Sequence, residues 1–316
     1  MITLNDLALN INRYNSFAIV CHIRPDGDSV GSSLALKEGL ISLGKRADVF
    51  CADAIPDKFA FIGGVDGFST KIDGEYDAFI SVDCAEEGRI GDLYFDFKKQ
   101  KNTFNIDHHI SNTRYAKVNY VVDTSSNCEN IFEVLTALGV SITKDIANKL
   151  LLGISTDTGN FAHKNVTDNT FLVASKLVNC GGDINLIHYE MFKRQSKARA
   201  KLISKVMSKL RYALEDKLAI AVINNADIIE AGAKPDETEG FIDFVLSIDC
   251  VEVAASIMEV GDKKYKISLR SKGTNVNEIA TVFGGGGHVL ASGCMINGYL
   301  EDVIDKLTFT VSQYMV

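Results

Sequence analysis

Short apolar runs alternate with helix-patterned segments through the first half of this 316-residue chain, and this alternation constrains the fold more than any other feature. Four of these runs read as strands: FAIVCH at 17–22, ADVFC at 47–51, DAFISVD at 77–83 and NTFNID at 102–107. Helices are predicted from Ser29, Ser126 and Thr143, each of which can serve as an N-terminal cap. Strands and helices in alternation predict an α/β domain with a doubly wound, mainly parallel sheet.

A different pattern begins near Arg211, where strands are predicted in YALEDKLAIAVIN, CVEVAASIMEV and KKYKISLRS. Helices are predicted in NVNEIATVF and in the final EDVIDKLTFTVSQYM. A basic helical stretch that ends in KLISKVMSKL precedes these segments. We therefore predict a catalytic domain at 1–190, a helical linker at 191–210 and a second, smaller α+β domain at 211–316.

The charge, hydropathy and cysteine content of the chain argue against some functional classes. The net charge of -8 and the pI of about 5.3 disfavour a protein that coats long nucleic acid, because its overall field repels phosphate. No signal-peptide pattern or membrane-spanning run is present, so we expect a cytoplasmic protein without a membrane partner. The seven cysteines lie far apart without any CxxC pair, and we interpret them as core residues of a protein in a reducing compartment: 21, 51, 84, 128, 180, 250 and 294.

Acids and histidines cluster in four segments of the first half. They are His22, Asp26 and Asp28 in HIRPDGDSVGSS, Asp83 in FISVD, Asp107, His108 and His109 in NIDHH, and Asp157 in GISTDTGNF. Taken singly, such an aspartate is usually a turn or cap residue, and such a histidine is usually only hydrogen-bonded. Together they indicate a site, because open α/β sheets bind ligands beyond the carboxyl ends of their strands.

The charges of these residues predict a metal centre. Asp26, Asp28, Asp83 and Asp157 supply four negative charges, which would neutralise two divalent cations. Carboxylates mixed with imidazoles favour manganese, magnesium or iron, with a preference for manganese. Two ions about 3.5 to 4 Å apart can clamp both oxygens of an in-line phosphoryl displacement. The sequence therefore predicts hydrolysis of a phosphate ester.

These motifs resemble those of the DHH phosphoesterase superfamily. HIRPDGDSVGSS, VDCAEEGR, NIDHHISN and GISTDTGNF are similar to its four motifs in order, and SLRSKGTNVNEIATVFGGGGHVLASG resembles its DHH-associated C-terminal domain. The chain is most similar to the bifunctional oligoribonuclease and pAp phosphatase group. The resemblance implies hydrolysis of very short oligoribonucleotides and of 3',5'-bisphosphate nucleotides such as pAp, by a hydroxide held between two metal ions.

The resemblance also implies a role for each residue. His22 and Asp26 would hold the first ion, Asp28 and His108 the second, Asp83 would bridge both and Asp157 would complete the site. His109 would lie near the transferring phosphate, and Asp107 would orient the histidine pair. The expected cofactors are two divalent ions, with Mn²⁺ preferred and Mg²⁺ or Co²⁺ as alternatives.

A second candidate site lies near the C-terminus. Arg270 and Ser271 end a predicted strand, and four glycines at 284–287 precede His288. Such glycines alone fit a flexible turn equally well. We interpret them as a loop whose backbone N–H groups at Gly285, Gly286 and Gly287 bind a phosphate, with Arg270, Ser271 and His288 as further donors. The resemblance agrees, since the second domain of that family is thought to hold the far phosphate of a short substrate.

Three alternatives remain open at this stage. One is a phosphodiesterase for linear dinucleotides such as pApA or pGpG, and another is an inorganic pyrophosphatase, which shares the four metal motifs but lacks a GGGGH loop. The third is a non-catalytic nucleotide sensor, which would be expected to lose ligands. The partners expected are short single-stranded RNA or mono- and dinucleotides and not long duplexes, and the sequence leaves the oligomeric state, including a homodimer, undetermined.

Overall fold

The computed structural model describes residues 2–315, and the chain divides into two compact units, Met1–Arg194 and Gln195–Val316. The boundary between them lies inside the predicted linker at 191–210.

A six-stranded parallel sheet forms the centre of the first unit. Its strands are β1 (Ser16–Val20), β2 (Arg46–Phe50), β3 (Phe68–Ser69), β4 (Ala78–Val82), β5 (Thr103–Asp107) and β6 (Val118–Val121). They lie in the order β3-β2-β1-β4-β5-β6, and every neighbouring pair is parallel. The four predicted strands are confirmed, whereas the short edge strands β3 and β6 were not predicted.

Helices cover this sheet and bury both of its faces. They are α1 (Leu4–Asn12), α2 (Gly27–Ser42), α3 (Tyr94–Lys99), α4 (Asn127–Ala137), α5 (Lys144–Asp157), α6 (Asp168–Asn179) and α7 (Ile184–His188). In β1, Phe17 and Ile19 point into the larger core, while Ala18 and Val20 point into a second core on the opposite face. Burial on both faces explains why β1 is apolar at every position after Ser16. The predicted doubly wound α/β class is confirmed.

Glycines allow α2 and α5 to pack unusually closely. A Cβ added at Gly31 would lie 2.3 Å from the carbonyl oxygen of Lys149, and one added at Gly153 would lie 2.4 Å from Oδ1 of Asp28. A Cβ at Gly27 would likewise lie 2.4 Å from Oγ1 of Thr156. The close approach brings the first turn of α2 beside the last turn of α5.

We expect Gly31→Ala to destabilise the first unit by about 1 to 3 kcal/mol, because the methyl group would overlap a backbone carbonyl that cannot rotate away. Denaturant unfolding would measure the change as a lower midpoint with an unchanged slope. Gly88→Ala is the matched control, since a Cβ there meets no atom within 4 Å. Equal stability of the two variants would contradict the close-packing argument.

The second unit contains a mixed six-stranded sheet. Its strands are β7 (Arg211–Ala213), β8 (Leu218–Ile223), β9 (Val253–Gly261), β10 (Lys264–Ser271), β11 (Gly286–His288) and β12 (Ala291–Asn297). They lie in the order β11-β12-β10-β9-β8-β7, with only β8 and β9 parallel. The single strand predicted in YALEDKLAIAVIN is a hairpin, because Leu214, Glu215 and Asp216 adopt left-handed backbone angles that turn the chain.

Helices pack on both faces of the second sheet. They are α8 (Lys197–Met207), α9 (Asn225–Ala231), α10 (Phe241–Leu246), α11 (Val276–Val282) and α12 (Leu300–Tyr314). The basic helix α8 contributes Leu202 and Val206 to a core of this unit, together with residues of β8 and α10. The predicted α+β class of the second domain is confirmed, and its two C-terminal helices lie where the sequence indicated.

No helix within residues 2–315 has both the length and the apolarity needed to cross a bilayer. All seven cysteines are free, and five of them are buried as predicted. The prediction of a core position is wrong for Cys250, which is exposed, and Cys180 is only partly buried.

Candidate metal centre

The candidate site lies where the strand order of the first sheet reverses, between β1 and β4. His22 follows β1, Asp83 follows β4 directly, and Asp107 is the last residue of β5. At this point the chain segments that leave two adjacent parallel strands run to opposite faces of the sheet, which leaves a crevice beyond the carboxyl ends of the strands. The sheet therefore brings together side chains that are more than 80 residues apart in sequence.

Helix ends supply the remaining aspartates. Asp26 caps α2, because its Oδ1 accepts a hydrogen bond from the backbone N–H of Ser29 at 3.0 Å. The prediction that this helix starts at Ser29 is wrong by two residues: α2 begins at Gly27, so Asp28 lies in its first turn. Asp157 is the last residue of α5 and not part of a following loop.

The first group of side chains comprises His22, Asp26 and Asp83. Nε2 of His22 lies 3.4 Å from Oδ2 of Asp26 and 3.5 Å from Oδ2 of Asp83. Nδ1 of His22 donates to the carbonyl oxygen of Ile23 at 2.8 Å. With its proton on Nδ1, a neutral His22 would present the Nε2 lone pair to the side of the two carboxylates, as a metal ligand requires.

The second group comprises Asp28, His108 and Asp157. Nε2 of His108 lies 3.9 Å from Asp28, 3.6 Å from Asp157 and 3.5 Å from Asp83. Its Nδ1 donates to the carbonyl oxygen of Thr124 at 3.0 Å, so Nε2 is again the free ligand atom. Within each of the two groups the potential ligand atoms lie within 4.8 Å of one another.

Asp83 lies between the two groups and has the properties of a shared ligand. Its Oδ2 faces His22 and its Oδ1 faces His108. Oδ1 is buried, and none of residues 2–315 donates a hydrogen bond to it. The backbone of Asp83 has φ of 53°, a left-handed angle that is costly for this residue and that aims its carboxylate into the crevice. An undonated buried carboxylate oxygen beside two imidazoles fits a divalent cation.

The N-terminus of α4 holds Asp28 in place. Its two carboxylate oxygens accept the backbone N–H groups of Asn127 at 2.5 Å and Cys128 at 2.9 Å. These donors belong to the first turn of the helix, where unpaired N–H groups and the helix dipole stabilise a negative charge. The carboxylate is thus fixed in orientation before any ligand binds.

Burial and mutual repulsion perturb the pKa values of this cluster. Burial and the neighbouring carboxylates raise the pKa of Asp28 to about 7 and that of Asp157 to about 9. Burial opposes protonation of His22 and His108, but the adjacent carboxylates outweigh it and raise the pKa of each to about 10. Without bound cations, the cluster therefore retains protons that solvent-exposed groups of these types would lose.

We expect the metal-free protein to lose stability as the pH rises from 5 to 9. Four groups have folded-state pKa values above their unfolded values: Asp28, Asp157, His22 and His108. In this pH range the folded protein therefore binds more protons than the unfolded chain, so raising the pH lowers the free energy of unfolding. Thermal unfolding in EDTA would measure the effect, and Asp157→Asn should flatten it. With Mn²⁺ present the trend should reverse, because deprotonated ligands bind the ion more tightly. A rising melting temperature in EDTA would contradict the cluster electrostatics.

His109 lies beside the second group, with Nδ1 3.8 Å from Oδ1 of Asp83, and Asp107 fixes its orientation. Its Nδ1 donates to Oδ1 of Asp107 at 2.8 Å, and Oδ2 of Asp107 accepts from Nδ2 of Asn112 at 2.6 Å. Burial opposes ionisation of Asp107, but these hydrogen bonds outweigh it and lower its pKa. The His109 side chain is 33% exposed, against 13% for His108, so its Nε2 is accessible to a substrate.

Arg89 is a site residue to which the sequence analysis assigned no role. One of its guanidinium nitrogens, Nη2, lies 2.9 Å from Nδ1 of His22, which places a cation at the edge of the carboxylate cluster. The signal was present in the motif VDCAEEGR, where Arg89 follows Asp83 by six residues. In the sequence, the positive charge of Arg89 does not distinguish it from the other arginines of the chain.

In the second unit, Arg270 and His288 lie on the same face of the sheet. Arg270 is paired with Ala291 on β12, and Ala291 is paired with His288 on β11, so the three residues form one row across the strands. Directly paired residues point to the same side of a sheet. The small Ala291 leaves the space between the arginine and the histidine open.

The other predicted members of this second site are arranged differently. Ser271 does not join Arg270, because successive strand residues face opposite ways: its side chain is buried, and its hydroxyl donates to the carbonyl oxygen of Thr274. The glycines do not form one loop as predicted. Gly284 and Gly285 follow α11, whereas Gly286 and Gly287 belong to β11, which is an edge strand among the described strands and pairs with β12.

Comparison with known proteins agrees with this architecture. Residues 16–154 match the DHH family, N-terminal domain, and residues 215–316 match the DHHA1 domain. A crystal structure of an exopolyphosphatase-related protein from Bacteroides fragilis superposes with a TM-score of 0.84 at 26% identity, covering 98% of this chain and 96% of that one.

Two curated relatives carry the same functional name. A protein of Streptococcus mutans named probable bifunctional oligoribonuclease and PAP phosphatase NrnA is 30% identical over 97% of this chain and 98% of its own length. The bifunctional oligoribonuclease and PAP phosphatase NrnA of Thermus thermophilus is 32% identical over 92% of this chain and 90% of its own length. The resemblance inferred from the motifs is thereby confirmed, and the chain belongs to the DHH family, with a DHHA1 domain in its second unit.

Proposed function

We propose that this protein is a divalent-metal-dependent phosphoesterase that hydrolyses very short oligoribonucleotides and 3',5'-bisphosphate nucleotides such as pAp. The observation that carries the proposal is the pair of carboxylate–imidazole groups that share Asp83 at the switch point of the sheet. The substrate class is taken from the names of the relatives from Streptococcus mutans and Thermus thermophilus.

In this proposal His22, Asp26 and Asp83 hold one ion, and Asp28, His108 and Asp157 hold the second with Asp83 as the shared ligand. Manganese is the preferred ion, since mixed imidazole and carboxylate ligands suit it better than thiolate-seeking metals. When bound, the ions would lower the pKa of water and neutralise the charge of the phosphoryl group.

The protein's own side chains then position the substrate and move protons. His109, with Nδ1 bonded to Asp107, can donate a proton from Nε2 to a phosphate oxygen or to the leaving oxygen. The Arg89 guanidinium beside His22 adds a positive charge that can bind a non-bridging phosphate oxygen.

We further propose that the face of the second sheet carrying Arg270 and His288 binds a phosphate of the substrate. Arg270 also lines a cavity of about 520 Å³, together with Ser256 of β9 and with Lys266 and Ser268 of its own strand β10. The carboxylates of Asp236 and Glu239 also line this cavity, so Lys266 and Arg270 are the groups on this face that can pair with an anionic, partly polar ligand.

We expect Arg270→Ala to raise the KM for a dinucleotide by about 10- to 100-fold with kcat changed less than about twofold, since one charge-assisted hydrogen bond is worth about 1.5 to 3 kcal/mol. Initial-rate kinetics in saturating Mn²⁺ would test this. Arg211→Ala is the matched control, because Arg211 lies on the opposite edge strand β7 and pairs with Glu301. An unchanged KM in the Arg270 variant would remove this face from the substrate site.

The function itself is tested by product release from pAp, a labelled RNA dinucleotide, a dinucleotide of the pGpG type, a labelled 24-mer and pyrophosphate, each with Mn²⁺ and with EDTA. We expect metal-dependent turnover of pAp and short RNA that falls as the chain lengthens. Turnover of pGpG alone would assign a linear-dinucleotide phosphodiesterase, and turnover of pyrophosphate alone would assign a pyrophosphatase. Binding without turnover of any substrate would assign a sensor.

We also propose that the protein is located in the cytoplasm. It is supported by the seven free cysteines, because oxidising compartments favour paired cysteines. Alkylation of purified protein under native and denaturing conditions would report their redox state.

A further inference from the structure

The first unit contains two stacked phenylalanines, one of which, Phe161, follows Asp157 by four residues. The rings of Phe161 and Phe171 have centroids 5.6 Å apart and planes inclined by 19°. Phe161 is half-buried against the core, whereas Phe171 is 57% exposed. Near-parallel rings at this centroid distance are offset, so Phe161 covers only part of one face of Phe171, and more than half of the Phe171 residue stays exposed.

The chain segment that carries Phe161 is fixed to Asp157. The segment turns immediately after α5, and the carbonyl oxygen of Asp157 accepts hydrogen bonds from Nδ1 of His163 at 3.3 Å and from Nδ2 of Asn165 at 3.2 Å. Nδ2 of Asn165 also lies 3.0 Å from the carbonyl oxygen of Ser125. The segment that carries Phe161 is therefore hydrogen-bonded to the backbone of a residue of the candidate metal centre.

The helix that carries Phe171 is fixed to the same centre by a buried carboxylate. Glu129, in the first turn of α4, accepts hydrogen bonds from Oγ1 of Thr170 at 2.9 Å and from Nδ2 of Asn169 at 2.8 Å. The preceding residues of that turn, Asn127 and Cys128, hold Asp28. Phe171, next to Thr170, is thus anchored to the element that orients a metal ligand.

The backbone is strained where Phe161 is held. Gly159, Asn160 and Phe161 adopt left-handed angles in succession, with φ of 54°, 58° and 65°. Glycine and asparagine tolerate this region, but it is costly for a bulky aromatic residue. A hydrogen bond from the Phe161 N–H to Oγ1 of Thr158 at 3.0 Å stabilises the turn. Strain of this kind is retained most often at ligand sites.

We propose that Phe171, supported by Phe161, is the surface on which a nucleobase of the substrate stacks, which rests on the proposed function. A base and an exposed aromatic ring associate face to face without regard to sequence, as an enzyme for varied short RNAs requires. The exposed Lys164 and His163 on the adjoining turn add donors that suit the sugar-phosphate of the same nucleotide. The chain has no tryptophan that could take this role.

The test compares pAp with its abasic analogue, 1-deoxyribose 3,5-bisphosphate, in wild type, Phe171→Ala and Phe171→Tyr. We expect Phe171→Ala to raise the KM for pAp by about 10-fold with kcat changed less than about twofold, and to leave the abasic substrate unaffected. Phe171→Tyr should restore the wild-type KM. Phe95→Ala, an exposed phenylalanine on α3, is the control for loss of apolar surface.

Equilibrium binding of pAp in the presence of Ca²⁺, measured by calorimetry, separates this inference from the proposed function. Wild-type binding that weakens about 10-fold in Phe171→Ala supports the stacking surface even if no turnover is found, in which case only the proposed function fails. The stacking inference would be overturned if Phe171→Ala lost equal affinity for pAp and for its abasic analogue, or lost affinity for neither. It would also be overturned if the wild type did not bind pAp. A change of oligomeric state in Phe171→Ala with unchanged pAp affinity would overturn it as well, because Phe171 would then contact a second copy of the chain.

Discussion

Asp83→Asn should lower kcat/KM on every substrate by on the order of 1000-fold or more, because the substitution keeps the shape of the side chain but removes the charge shared by both groups of ligands. Oδ1 of Asp83 is buried and accepts no hydrogen bond from the described residues, and the imidazole of His108 at 3.5 Å is its nearest possible counter-charge. An amide nitrogen in its place would present a donor towards a cation. We therefore expect loss of metal affinity together with loss of activity.

Asp77→Asn provides the matched control at the opposite end of the same strand. Asp77 precedes β4, and its Oδ2 accepts the backbone N–H groups of Asn15 at 2.9 Å and Ser16 at 3.0 Å. We expect this variant to cost about 1 kcal/mol of stability and to keep its activity. Circular dichroism would show that both variants fold. A folded Asp83→Asn protein with near-wild-type turnover in excess Mn²⁺ would contradict the assignment of Asp83 as the shared ligand.

His109→Ala should lower kcat by about 100- to 10,000-fold, the range expected for loss of a general acid. Unlike Asp83→Asn, this variant should still bind its metal ions, because Nδ1 of His109 donates to Asp107 and neither of the two proposed ion sites includes this histidine, although it also groups with Asp83 and His108. His108→Ala is the informative comparison, since it removes a member of the second group and should lose both metal affinity and activity.

Asp107→Asn should reproduce much of the effect of His109→Ala, because an amide at this position can donate to Nδ1 and shift the imidazole to the other tautomer. The two substitutions should not be additive: in the double variant kcat should equal that of His109→Ala. Additive losses would mean that Asp107 acts independently of His109. Metal titration of each variant would separate an effect on catalysis from an effect on the metal centre.

The α/β class and the four central strands could be predicted because a strand buried on both faces must be apolar at successive positions, as β1 is. Edge strands do not leave that signal. β3 has only two residues, and β6 contains the partly exposed Asn119. The turn between β7 and β8 was missed because its left-handed residues, Leu214 to Asp216, include no glycine.

The residues of the metal centre could be predicted because their spacing along the chain follows the strand ends. Their relative arrangement could not, since it depends on the close packing of α2 on α5 and on the capture of Asp28 by α4, which are tertiary contacts. In the second unit the orientation of Ser271 could not be predicted from the motif. The motif includes this serine, but successive strand residues face opposite ways, so its side chain points away from Arg270. Phe171 has no motif at all, and only the structure brings it beside Phe161.

The most direct measurement is a calorimetric titration of the metal-free protein with Mn²⁺ at pH 8, combined with the same titration of Asp83→Asn. We expect the wild type to bind two ions per chain and to release protons on binding. We expect Asp83→Asn to bind neither ion with an affinity comparable to that of the wild type. A wild-type stoichiometry of none or one, or an unchanged titration of Asp83→Asn, would contradict a two-ion centre organised around this carboxylate.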